Sequence, residues 1–408
     1  MSHSTAATPA ERLHALDALR GGALLLGIVL HATLSFLPGS AQFWFVRDAH
    51  PSLLLGLLSF AIHVFRMTTF FLMAGFFARM SFHRRGSWGF VRDRLQRIGL
   101  PLVIGWPIIF APMSLIVIWA SHFPNGGSSR SWPPVLPNFP LTHLWFLYVL
   151  LELYVAMLLL RGAIVWLDAS GAWRAAVDRL FARIMRSPLA PLVLAIPIGI
   201  AFSLDQRWIN AMGVRTPDQS LITNAQAWIG FGTAFGIGWL LHRQIDLLRL
   251  LERRWLPYLL LALCLILISF VLSGVVSSAP GAPKLPFSAT TLRLVCAILY
   301  ASAIWISTFA VIGLALRFMS GFSPTWRYLA DASYWLYLIH MPIVMALQVA
   351  LSQLDWPGLI KFAIILVVAI PPMLASYHLL VRFTFIGAIL NGRRAIKRVL
   401  PRSGIATA

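Results

Sequence analysis

The chain reads as an all-α, polytopic integral membrane protein with about ten transmembrane helices around a polar cavity. Three observations predict this class. Of 408 residues, 59% are hydrophobic and only 11% are charged, against about a quarter charged in a soluble domain. The apolar residues gather into runs long enough to cross a bilayer, which takes about 20 residues at about 1.5 Å rise each. The basic residues fall in short clusters between those runs. The net charge of +20 is therefore the signature of membrane-flanking loops and not of nucleic-acid binding. One transmembrane domain over 1–408 follows, with 1–15 and 393–408 as tails. Cys264 and Cys296 both lie in apolar runs and supply neither a disulfide framework nor a metal site.

Residues 1–15 are small and polar, and the first span covers about 18–37. A polar turn with Arg47, Asp48 and His50 leads to a second span at about 53–78. Arg79–Arg97 carries six arginines and is expected to be an amphipathic surface helix. Spans three and four, near 98–120 and 142–160, flank the Pro/Gly/Ser-rich stretch Ser121–Pro140, expected to be an ordered loop or re-entrant cap. The basic segment Arg161–Arg186 precedes span five at about 188–204. Spans six to ten follow near 223–241, 256–278, 290–316, 333–352 and 358–380. No internal repeat is visible. Ten spans place both termini on one side. The segments expected on that side hold 25 of the 33 Lys and Arg residues, and all remaining positions, including Arg66 and Arg293 within spans, hold 8. By the positive-inside rule both termini are cytoplasmic. Against a cleaved signal peptide, the first apolar run is long and Asp17 lies in the would-be basic region.

The first span, LDALRGGALLLGIVLHATLSFL, organises the functional reading. Arg20 stands at its start and His31 well inside, eleven residues and close to three turns apart. Both therefore point the same way, about 16 Å apart along the axis. Gly27 shares the stripe and is expected to leave room there for a bound group. Such groups are costly in lipid and mark a functional site by default. The plainer alternatives are a histidine bonded to a neighbouring helix and an arginine anchoring the membrane edge.

Further ionisable residues fall within other spans. His63 and Arg66 share a face of span two. His143 opens span four, with Glu152 nearly two and a half turns deeper. Tyr337 and His340 lie one turn apart in span nine, and His378 and Arg382 close span ten. Singly, each has a structural role as its simplest explanation. Together they imply a polar cavity, because such groups must pair or face water, and His63, Arg66, His143 and His340 are expected to gather near His31. No Walker loop, dinucleotide fingerprint, HExxH or CxxC is present, and GFSP around Ser323 is not a nucleophile elbow. Histidine is left as the general base, its ordinary titration near neutrality suiting proton removal from a hydroxyl.

LDALRGGALLLGIVLH, with its Arg-x10-His pair, resembles the opening signature of the acyltransferase 3 family of bacterial inner-membrane proteins. FFLMAGFFARM, RLQRIGLPLV, HLWFLYVLLELY and YWLYLIHMP resemble further family blocks in the expected order. The likeness runs from about residue 12 to 395, and the ending HLLVRFTFIGAILNGRR is similar to the family's glucan-biosynthesis branch. The resemblance implies a multi-pass protein of the bacterial inner membrane. Its implied activity is transfer of an acetyl or succinyl group from cytosolic acyl-CoA to a sugar hydroxyl of a periplasmic or cell-envelope glycan. With that activity His31 is the catalytic base and Arg20 a fork donor to CoA phosphates, while Asp17, His63, Arg66, His143, Glu152, Tyr337 and His340 are possible cavity or substrate residues by their polar character within or beside the spans. Arg66 and Tyr337 are the candidate oxyanion donors. No tightly bound cofactor or metal is expected. The partners are acyl-CoA as donor substrate, a glycan acceptor and the lipid bilayer, with glucan-synthesis proteins as further candidates. The alternatives are a multi-span transporter, which calls for inverted repeats, and a non-catalytic subunit of a glycan-export complex.

Overall fold

The structure, a computed structural model, describes residues 9–40, 43–125, 138–206, 208, 212–273 and 288–392. Thirteen α-helices carry the described chain: α1 (Pro9–Thr33), α2 (Leu53–Arg94), α3 (Leu100–Ala120), α4 (Trp145–Leu167), α5 (Ala172–Arg186), α6 (Ala190–Leu204), α7 (Ala225–Arg243), α8 (Leu248–Arg253), α9 (Trp255–Leu272), α10 (Ala289–Phe318), α11 (Pro324–Ser352), α12 (Gly358–Ser376) and α13 (Phe385–Asn391). Helices dominate because a backbone in lipid has no water to bond, so each segment must satisfy its own N–H and C=O groups.

Seven helical stretches among the described residues are long and apolar enough to cross a membrane, or eight if α5 and α6, bent by 108°, count as one span. One of the seven, Leu53–Ala120, runs for 68 residues, roughly three times what one crossing needs. Every expected span falls on a helix. However, α6 and α7 do not reach that standard alone, so a count of ten goes beyond what length and composition establish. The first helix starts at Pro9, so part of the expected tail is helical. The remaining tails and residues 126–137 of the expected cap lie outside the described residues.

Arg79–Arg97 corrects the expectation of a separate surface helix. It continues α2, breaks at Gly86 (φ 68°, ψ −179°) and passes through a π-helical turn, Leu95–Gly99, into α3. A residue with a side chain is strained at that φ, whereas glycine is not. Within the segment Phe82, Phe90 and Asp93 are buried, so its inner face is part of the bundle.

Helix α1 sits at the centre, packed on α2, α10, α11 and α12, while α2 also packs along α7, and α10 along α6 and α9. The α2–α7 seam is tight. A methyl group at Gly75 would overlap the Phe235 carbonyl, and one at Gly238 the Leu72 carbonyl. Lipid tails are as apolar as leucine, so close backbone approach through small residues is what holds such helices together. Large apolar side chains on α3, α9 and α12, such as Val103, Leu260 and Val367, are exposed on the outer wall.

One ion pair lies fully inside this bundle. Lys361 Nζ reaches both carboxylate oxygens of Asp48, at 2.9 and 2.7 Å, and both side chains are buried. Asp48 also accepts the His50 N–H (2.9 Å), and its own N–H donates to the Ser35 carbonyl (3.0 Å). The pair thereby ties the end of α1 and the α1–α2 connection to the start of α12.

Candidate functional site

Two polar regions lie on the central helix, one toward each end. At the arginine-rich end a cavity of about 290 Å³ is lined by α1, α2, α11, α13 and the π-helical turn. Six arginines, Arg20, Arg84, Arg85, Arg94, Arg97 and Arg327, face it against three aspartates, Asp17, Asp93 and Asp331. The excess of cations gives it the charge that suits a polyanion. Arg20 pairs with Asp17 at 3.2 Å and lies over the Phe77 ring at 5.2 Å. Asp93 is the hub: Arg85 and Arg97 reach one of its oxygens at 2.9 Å each, and Arg94 the other at 3.0 Å. Fork-shaped guanidinium groups are thus held rigidly around an open space. Asp93 is the single acidic residue among the six arginines of 79–97, a signal that sequence reasoning passed over.

About 16 Å along α1 from Arg20, by helical rise, stands the second region. His31 and His340 have ring centroids 5.2 Å apart, and His340 and His143 5.1 Å apart. Tyr337 borders His143 at 5.4 Å. His31 is within electrostatic reach of His63, Arg66, His143 and His340. Three helices and the turn before α4 therefore converge, as the cost of leaving such groups in lipid requires. Among the described residues no three His, Cys, Asp or Glu side chains are arranged to hold a metal ion.

Local sequence explains how the imidazoles are held. Pro342 in α11 has no N–H, so the Leu338 carbonyl four residues earlier loses its helical donor. The His143 Nε2–H donates to that freed oxygen at 3.2 Å. The Tyr337 hydroxyl in turn donates to the His143 carbonyl at 2.7 Å. Thr142, just before His143, has φ 53° and is buried. For a β-branched residue this is a strained conformation of the kind that clusters at functional sites. Its N–H donates to the Asp218 carbonyl at 3.0 Å, and its hydroxyl lies 3.5 Å from His143 Nδ1. On α11 the His340 Nδ1–H donates to the Tyr337 carbonyl at 2.7 Å.

Arg66 corrects the expected role of Gly27. A methyl group on Gly27 would collide with Arg66 Nη1, so the notch houses that guanidinium and is not open to a bound group. Among the described residues no carboxylate pairs with Arg66, and its Nε has no hydrogen-bond partner. The Tyr337 hydroxyl is engaged with the His143 carbonyl, so of the two candidate oxyanion donors Arg66 is the uncommitted one.

Glu152 stands apart, about 13 Å along the helix from His143, accepting the Thr223 hydroxyl at 2.7 Å. His378 and Arg382 bond each other at 3.2 Å on the exposed surface. Two residues outside the expected set shape the site. Trp44 stacks on His31 (centroids 6.4 Å, 21°) and donates to Gln348 at 3.0 Å. Gln348 donates to the His31 carbonyl at 2.9 Å. It lies eight residues after His340, hence on the same helix face, and its polarity in an apolar run is a readable signal. Trp44 sits in a connection, where periodicity says nothing.

The family profile described as an acyltransferase domain matches residues 13–378. The chain is also similar to glucans biosynthesis protein C of Escherichia coli O1:K1 / APEC and of Escherichia coli O139:H28 (strain E24377A / ETEC), each 34% identical over 150 residues. That stretch is 35% of this chain and only 37% of each relative's length. No solved structure gives a significant match.

Proposed function

The chain belongs to the acyltransferase 3 family, and from that membership we propose that it carries an acetyl or succinyl group from acyl-CoA to a sugar hydroxyl of a cell-envelope glycan. The carrying observation is that one helix, α1, presents an arginine-lined cavity at one end and a buried histidine cluster about 16 Å away. The phosphates of CoA suit the cavity, where Arg20 and the arginines around Asp93 offer bidentate donors. The pantetheine arm then extends along α1 and brings the thioester to His31, beside Arg66. The sugar hydroxyl oxygen attacks the thioester carbonyl while its proton passes to His31. The tetrahedral oxyanion is stabilised by Arg66. Its collapse breaks the C–S bond, and the thiolate takes the proton from His31. The glucan acceptor draws support from the partial likeness to glucans biosynthesis protein C.

Mass spectrometry of the purified protein in nanodiscs tests the donor, with bound acyl-CoA as the expected result. Arg20→Ala raises the apparent KM for acyl-CoA more than it lowers kcat, and Arg20→Lys restores only part, because a point charge replaces a planar fork. Absence of acyl-CoA binding, or an Arg20→Ala variant with native KM, counts against the cavity as the donor site.

We also propose that the membrane is the bacterial inner membrane, with both termini cytoplasmic and glucan-synthesis proteins as possible neighbours. The supporting asymmetry is 25 of 33 basic residues on one side. Ser87, close in sequence to the cavity residues Arg84 and Arg85, and Gln219, next to the Asp218 whose carbonyl accepts the Thr142 N–H, are both exposed. In a cysteine-free background, an impermeant thiol reagent on intact cells labels Gln219→Cys and spares Ser87→Cys. The reverse pattern inverts the orientation.

A further inference from the structure

We infer that His340 is a positioning residue for His31, accepting a hydrogen bond from His31 Nδ1–H and so holding the His31 Nε2 lone pair ready to receive the acceptor's proton. The inference rests on the reaction proposed above. Three observations lead to it. The His340 Nδ1–H is committed to the Tyr337 carbonyl at 2.7 Å, so in the neutral ring Nε2 is an acceptor. That Nε2 is buried and has no partner, and His340 itself is 1% exposed. His31 Nδ1 is likewise buried without a partner, on a ring whose centroid lies 5.2 Å from that of His340.

A buried acceptor and a buried ring nitrogen, each left unmade, are both costly, and each is the complement of the other. At that centroid spacing two ring nitrogens facing each other come within hydrogen-bond range. The rings are tilted by 38°, and a turn about the soft ring torsion of His31 closes the bond. Trp44 covers one face of His31, and Gln348 holds the backbone carbonyl of the same residue, so little else about His31 needs to move. His31 Nε2 is not among the buried unpartnered atoms and is left as the nitrogen that meets substrate. The chain of bonds runs from the Tyr337 carbonyl through His340 to His31. This is the arrangement in which a partner fixes the tautomer of a catalytic imidazole, with a neutral imidazole in the place of a carboxylate.

Nitrogen-15 spectroscopy tests this on the full chain in nanodiscs, labelled at histidine and held at about pH 9, well above the ordinary histidine value of about 6.5. His31 is assigned by the signal lost in His31→Asn. The expected result is a His31 protonated at Nδ1 in the native chain and shifted toward the Nε2–H tautomer in His340→Phe. In turnover, His340→Phe lowers kcat by about 10- to 100-fold, the scale set by partners that orient an imidazole, with KM for acyl-CoA unchanged. His340→Asn, which keeps an acceptor oxygen, recovers most of it. A native His31 protonated at Nε2, or a tautomer and kcat unaltered by His340→Phe, overturns the pairing. Once His31 is assigned, the native spectrum needs neither His340 variant to fold nor any acyl transfer, so a chain that transfers nothing defeats the reaction and leaves the pairing to be judged alone.

Discussion

Replacing His31 with alanine lowers acyl transfer by about 10²–10⁴-fold, the usual loss when a general base is removed, and by more if the imidazole also forms a covalent intermediate. Acyl-CoA binding stays near native, because the arginine cavity lies about 16 Å away along α1. The measurement is single-turnover transfer of a labelled acyl group, with donor affinity determined in parallel. Retention of the monodisperse native form must accompany it, since His31 packs between Trp44 and His340. A folded His31→Ala protein that transfers at a comparable rate removes His31 as the base and moves the search to His340 and His143.

The largest expected effect on stability lies far from the chemistry. Asp48→Ala strands the Lys361 ammonium, which is 0% exposed in the native bundle. Breaking one side of such a pair costs about 3–5 kcal/mol, because the remaining charge has neither partner nor water. Thermal unfolding in detergent reads this as a markedly lowered midpoint for Asp48→Ala. The double variant Asp48→Asn with Lys361→Met recovers most of the loss, since removing both charges together removes the desolvation penalty. A loss under about 1 kcal/mol, the size of an exposed pair, means that water reaches Lys361.

Much of this protein is legible in its residue order. Apolar runs of membrane-crossing length specify helices, because in lipid the backbone has few other ways to satisfy itself. Each expected span accordingly falls on a helix. Arg20 and His31, eleven residues apart on one unbroken helix, are placed on one stripe by periodicity alone. The gathering of His143 and His340 beside His31 follows from the cost of burying each in hydrocarbon.

Tertiary structure decided what depends on facing neighbours. Arg79–Arg97 looks like a surface helix by composition, yet Asp93 turns Arg85, Arg94 and Arg97 inward to make a cavity wall. Gly27 looks like an open notch until the Arg66 side chain from α2 fills it. The carbonyl of Leu338 becomes an anchor for His143 only because Pro342 on one element and His143 on another meet. The left-handed Thr142 and the commitment of His340 Nδ1 to the Tyr337 carbonyl assign strain and protons to individual atoms. Hydrophobic periodicity, a property of one helix against its surroundings, determines which groups must be buried. Which atom of each group is satisfied, and which is left free for chemistry, is set by contacts between segments as far apart in sequence as His31 and His340.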